Sequence, residues 1–191
     1  FTYTPSFFRV GSENYLKRHQ VSPALSWRAG DDFFTKFSYV FSDNDYSDSS
    51  SFQNNNARDG HTHNFSTDAY YRILNKKGAL FGGIAYKTNS AEPSESYDQI
   101  RLNLGFSLKL PYAFDFNMMG RYDDRKYDAP DNSHKVKRDD GKYFFTLSLY
   151  HKLRYDWLGI LAEYDYTKND SNISTYKYDR NVLSLSLAVE F

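Results

Sequence analysis

The sequence predicts an all-β chain, an antiparallel up-and-down transmembrane β-barrel of about ten strands. Three observations carry that expectation. Apolar and polar residues alternate with period two through segments of ~9–13 residues, where a tilted membrane-crossing strand needs ~9–11 and a soluble strand usually has ~5–6. Aromatic residues make up 19% of the 191 residues, with 18 Tyr, 16 Phe and 2 Trp, more than a water-soluble core requires. The connections alternate between tight turns and long polar stretches rich in Ser, Asn and Asp. Bacterial outer-membrane barrels have this asymmetry, with short periplasmic turns and long extracellular loops.

Composition removes several function classes. Lys+Arg and Asp+Glu both number 24, so the formal net charge is zero, without the basic footprint of a nucleic-acid binder. There is no Cys, which excludes disulfide frameworks, thiolate metal clusters and thiol nucleophiles. Mean hydropathy is −0.75, and no apolar run approaches the ~20 residues of a membrane-spanning helix. The chain opens at Phe1 with no Met, basic n-region or apolar h-region. It therefore reads as a mature protein or a fragment. Residues 1–191 are expected to form one outer-membrane barrel, reduced or N-terminally incomplete.

The early strands are expected near 2–10, 17–29, 33–42, 62–74 and 79–88. Pro5 and Pro23 weaken the first two, because Pro cannot donate to a ladder. Val21, Pro23, Leu25 and Trp27 share one face, as do Phe65, Thr67, Ala69, Tyr71 and Ile73, and then Leu80, Gly82, Ile84 and Tyr86. Later alternation is cleaner. Ile100 to Leu110 in even steps oppose Arg101 to Lys109, and Phe114, Phe116, Met118 and Tyr122 oppose Asp115, Asn117, Arg121 and Asp123. Tyr143, Phe145, Leu147 and Leu149 oppose Thr146, Ser148 and Lys152; Leu158, Ile160, Ala162, Tyr164 and Tyr166 oppose Glu163 and Asp165. Leu183, Leu185, Leu187, Val189 and the terminal Phe191 close the pattern. Tight turns fall at Gly30–Asp32, Asn75–Gly78, Pro111–Ala113 and Tyr155-Asp156. Long loops are expected near 43–61, 89–97, 124–141 and 168–176. Aromatic belts should mark both lipid boundaries, with Tyr112, Tyr155, Trp157 and Phe191 at the turn end. Tyr46, Tyr86, Tyr97, Tyr127 and Tyr178 would mark the loop end.

If lipid takes the apolar face, the lumen takes Lys36, Asp68, Arg72, Arg101, Lys109, Asp115, Arg121, Asp123, Lys152, Arg154, Glu163, Asp165, Arg180 and Glu190. Both signs occur in that set. It fits either a salt-bridged plug, as in barrels near eight strands, or a narrow polar pore, and gives no ion selectivity. No catalytic residue, metal site or cofactor is expected. Asp43, Asp45, Asp48, His61, His63 and His134 are the residues an omptin-like hydrolase would use, and His61-Thr62-His63 is the only metal-like spacing. Solvated loop residues explain both patterns better.

The last third carries a motif: Arg138-Asp139-Asp140, then Asn169-Asp170-Ser171-Asn172-Ile173, then Tyr176-Lys177-Tyr178-Asp179-Arg180-Asn181, closing in a strand that ends on Phe. This resembles the C-terminal barrels of outer-membrane proteins that follow a periplasmic tetratricopeptide-repeat domain. One branch is the surface lipoprotein assembly modifiers, which move lipoproteins to the cell surface; others accompany exopolysaccharide loci. The terminal Phe likewise resembles the sorting signal of outer-membrane proteins. The resemblance implies a transport or export channel, or the membrane domain of a secretion device, with outer-membrane lipid, a periplasmic partner or repeat domain, and exported cargo as partners. A structural or adhesive barrel with a plugged lumen and binding loops is the alternative. The motif also has an architectural reading: Asp170, Ser171 and Asn172 are turn formers, and Arg180 would pair with Asp165 or Glu163 across strands.

Overall fold

The computed structural model describes residues 1–48, 51, 53, 55–155 and 157–189. Asp156, Glu190 and Phe191 lie outside the described residues. The chain forms a single antiparallel sheet of β1 (Thr2–Val10), β2 (Glu13–Ser22), β3 (Ala24–Ala29), β4 (Phe33–Tyr46), β5 (Gly60–Ile73) and β6 (Gly78–Ser90). It continues through β7 (Tyr97–Leu110), β8 (Phe114–Pro130), β9 (Lys137–Lys152), β10 (Leu158–Ser171) and β11 (Tyr178–Val189). Sequential strands pair as neighbours except β2 and β3, which both pair with β4, in the up-and-down order expected. No α-helix occurs among the described residues.

The expected strand 17–29 is split. β2 pairs with one half of β4 (Val21↔Phe41) and β3 with the other (Ala24↔Ser38), in one unbroken register. Pro23 is the break: it has no N–H to donate, though its carbonyl still accepts from the Tyr39 N–H at 3.1 Å. β2 and β3 are thus one line, and the sheet is ten strands wide.

Strands run further than the hydropathy pattern indicates. The expected loop 124–141 is mostly strand, since β8 continues to Pro130 and β9 starts at Lys137. The other long connections shrink in the same way. Beyond the alternating segment both faces are polar, so period two disappears from hydropathy while the ladder continues. At the other end the turns are tight, and several residues carry positive φ, including Gly30, Leu74, Asn75, Lys76, Tyr112 and Ala113.

The two faces have opposite composition. Side chains from β2, β4, β5, β6, β7 and β8 line one shared cavity, so that face is concave. The convex face carries the apolar set: Phe65, Leu104, Leu183, Leu185 and Leu187 are all exposed, Leu104 at 71%. Among the described residues the buried hydrophobics are Leu16, Ala79 and Ile173, against twelve buried polar or charged residues. This inverts the usual arrangement, in which large apolar side chains are inside.

The register is also staggered. One row of partners crosses the concave face as Lys36↔Asp68↔Gly83↔Asn103↔Arg121↔Phe144↔Thr167↔Arg180. Lys36 lies three residues from the turn end of its strand at Phe33, whereas Arg180 lies nine from Val189. Successive hairpins are therefore slid along one another, the shear that barrels require. β1 and β11 are the edges of the sheet and are not paired with each other.

Candidate functional site

The concave face divides into two halves. Toward the turn end rings pack over glycine, beside a cavity of about 310 Å³ lined in part by Tyr70, Ser107, Lys109, Asp115 and Asn117. A Cβ at Gly105 would meet the Phe81 ring at 2.5 Å, and one at Gly159 would meet the Tyr150 ring at 2.4 Å. Only glycine leaves room for rings laid this close to the strand. Across the middle, Asp123, 5% exposed, receives Arg101 through two bonds of 2.7 and 3.3 Å. Arg121 approaches the same carboxylate at 3.5 Å and stacks on Phe144 at 3.6 Å.

Toward the loop end the face opens into a cavity of about 370 Å³. Arg18, Arg58, Lys87, Arg101 and Arg125 line it, with Glu95 as the one acidic side chain among the described residues. Arg18 Nε donates to Asn44 Oδ1 at 2.7 Å. Arg125 donates to Gln99 Oε1 through Nε at 3.1 Å and Nη2 at 2.8 Å, and lies 4.3 Å from the centre of the Tyr97 ring. A second cavity of about 210 Å³ lies beside it, lined in part by Asp140, Lys142, Asn169 and Tyr178.

The loop rim is clasped by the motif residues. Asn172 acts as a surrogate strand residue: its Oδ1 accepts from the Asp139 N–H at 2.9 Å, and its Nδ2 donates to Lys137 O at 2.7 Å. Asn169 Nδ2 donates to Tyr176 O at 2.7 Å, and Ser171 Oγ accepts from the Ile173 N–H at 3.2 Å. Tyr176 donates its hydroxyl to Asp131 at 2.8 Å while Arg138 stacks on its ring at 3.7 Å. Arg138 in turn pairs with Asp140. His134 bonds both Asp131 and Thr175, joining the β8–β9 and β10–β11 loops. Donors from the His134 ring and backbone, helped by Tyr176 and Ser133, hold the Asp131 carboxyl well below the ordinary carboxylate range. The same bond to Asp131 pushes the Tyr176 hydroxyl up.

By register, Lys36, Asp68, Arg72, Arg101, Lys109, Asp115, Arg121, Asp123, Lys152, Glu163, Asp165 and Arg180 occupy the concave side of the sheet. Arg154 does not; it sits in the exposed β9–β10 connection, because β9 ends at Lys152. The expected pairing of Arg180 with Asp165 or Glu163 is absent among the described residues. Arg180 faces Thr167, and Asp165 accepts from Thr146 instead. Asp170 and Asn181 lie on the convex side, where Asp170 meets Lys177 at 3.1 Å and Asn181 accepts the Tyr164 hydroxyl at 2.6 Å. The loop-end tyrosine belt is also corrected. Tyr46, Tyr97 and Tyr127 line the large cavity and Tyr178 the smaller one, leaving Tyr86 on the convex side. His61 and His63 are convex too, with His63 bonded to Tyr39. Among the described residues no group of three His, Cys, Asp or Glu side chains could hold a metal.

The sequence reading missed Arg18, Arg58, Lys87 and Arg125 as cavity residues. Arg18 and Lys87 had the right parity, opposite Val21 and Tyr86. Arg125 falls in the polar stretch 124–141 that reads as a loop. The even mixture of charge along the chain also hid their grouping, because register and stagger collect the bases at one end.

A family model described as surface lipoprotein assembly modifier matches residues 35–191. A surface lipoprotein assembly modifier of Haemophilus influenzae (strain 86-028NP) is 24% identical over 134 residues, which is 70% of this chain and 27% of that protein. The chain thus spans about a quarter of that relative's length, and over most of its own length it belongs to the surface lipoprotein assembly modifier family.

Proposed function

We propose that this chain is the outer-membrane β-barrel of a device that brings lipoproteins to the bacterial cell surface, acting by transport or export rather than by catalysis. The observation that carries the reading is the inverted composition: buried positions are mostly polar and the convex positions are apolar and exposed. An apolar face of that extent needs a cover, and a bilayer covers every strand at once. The staggered register supports closure. In lipid the free edges of β1 and β11 have to be paired, by one another or by further strands, because unpaired backbone groups there cost several kcal/mol each. The family assignment supplies the task, and a polypeptide cargo and a periplasmic partner or repeat domain are the matching partners.

The test is surface display. In a Gram-negative host, deletion of the gene should remove surface lipoprotein from protease shaving and antibody labelling of intact cells, with total lipoprotein unchanged. Restoring the gene should restore display. Unchanged display in the deletion strain, together with a purified barrel that passes no ions in planar bilayers, would refute the reading.

A further inference from the structure

We propose that the loop-end cavity is a receptor for a small acidic sugar, a mono- or disaccharide carrying a carboxylate or phosphate. Five basic side chains line it against one acid among the described residues, Glu95. Among the described residues Arg101 alone of the five has a carboxylate partner, Asp123. Arg18, Arg58 and Lys87 meet neutral partners, Asn44, Tyr15 and the Tyr97 ring; Arg125 bonds Gln99 and has Asp140 opposite it on β9, a carboxylate already paired with Arg138. Cation–π contacts lower the cost of holding such charges but do not neutralise them. Like charges gathered along one concave wall repel, most where they are half-buried, as Arg18, Lys87 and Arg125 are, and less at the exposed Arg58; a bound oxyanion relieves that repulsion.

The hydrogen-bond polarity points the same way. The amide oxygens of Asn44 and Gln99, residues only 8% and 3% exposed, are already taken by Arg18 and Arg125. Their NH2 groups remain as donors. An arginine fork beside fixed N–H donors matches carboxylate or phosphate geometry. Gln20 and Asn64 add side-chain amides of the kind that bond sugar hydroxyls. The cavity wall is the face of the sheet, with its backbone committed to ladders. An acidic peptide would find no strand edge there to extend. A volume of about 370 Å³ falls at the lower end of small-molecule sites (~300–1,000 Å³).

The experiment is calorimetric titration of the full chain in zwitterionic nanodiscs, its folded state verified by slower migration on unheated gels. Glucuronate and glucose 6-phosphate should bind about tenfold or more tightly than glucose. Arg125→Gln should lose about tenfold in affinity. Lys87→Gln, which leaves the Arg125–Gln99 bonds intact, should lose a smaller factor and serves if Arg125→Gln misfolds. Nanodiscs containing phosphorylated lipooligosaccharide distinguish the source: competition with glucuronate places the acid on a surface glycolipid, and its absence places it on a free solute. Equal binding of glucose and glucuronate, no binding of either acid, wild-type affinity in Lys87→Gln, or an acidic hexapeptide binding as tightly as the sugars would overturn the proposal.

Discussion

Leu104 and Gln99 lie on the same strand, β7, yet Leu104 is 71% exposed and Gln99 is 3% exposed. They differ in parity, so one points to the convex side and the other to the concave. A soluble sandwich would reverse these exposures. The convex face thus exposes apolar side chains, while the concave face pairs many of its polar groups and leaves a few buried atoms, Asn103 Oδ1 and Asp140 Oδ1 included, without a partner among the described residues. The two faces are stabilised by different means: the first by whatever covers it, the second by rings over glycine, ion pairs and amide–guanidinium bonds.

The largest test of that contrast is a charge placed on each face. In phospholipid vesicles Leu104→Arg or Leu147→Arg should cost about 2–4 kcal/mol of unfolding free energy. Ser107→Arg or Ser148→Arg should cost less than about 1 kcal/mol. Equal losses would abolish the distinction between the faces. Next in size is the ring packing on the concave side. Gly159→Leu should cost about 1–3 kcal/mol by driving the new side chain into the Tyr150 ring, and adding Tyr150→Ala should recover much of it. No recovery would mean that the ring is not what glycine accommodates.

Asp123→Ala removes the common partner of Arg101 and Arg121 and should cost about 1–3 kcal/mol in urea titrations. The pairs are partly exposed, so a smaller value would mean that water replaces the carboxylate. Asn172→Ala, which removes two bonds to the backbone at the start of β9, should cost about 1 kcal/mol. Its effect should appear as faster hydrogen exchange confined to residues 137–141. The smallest effect is on pH. The Asp131 carboxyl is depressed in the folded state, so the clasp's contribution is complete above the ordinary value of 3.8 and is lost only as pH falls below it. Exchange protection around Asp131 should be the same at pH 7 and pH 5. Loss of protection at pH 5 would contradict the bonding described.

Much of the sheet was legible in the sequence. The face of nearly every strand from β4 to β11 follows from period two, because the convex side is continuously apolar. The break at Pro23 was visible only as a weak point, since the same missing N–H at Pro5 leaves β1 running through it. The ends of β8 and β9 were not legible, since beyond Asp123 both faces are polar and Asn, Asp and Ser read as turn residues. The basic cavity was legible only in part. Parity places Arg18 and Lys87, but only the sliding of successive hairpins along one another sets them beside Arg125. The Asn172 motif was visible as turn chemistry, while its role as a surrogate strand residue depends on where β9 begins.

The absence of Cys allows the most direct test of the central claim. Single cysteines at Leu104, Leu147, Ser107 and Ser148 would be spin-labelled in lipid bilayers, and their relaxation by oxygen and by a water-soluble nickel chelate compared. Labels at Leu104 and Leu147 should be relaxed by oxygen and not by the chelate, and labels at Ser107 and Ser148 should lack that lipid signature. Chelate relaxation at Leu104 and Leu147 equal to that of an exposed loop label would contradict a membrane-spanning sheet.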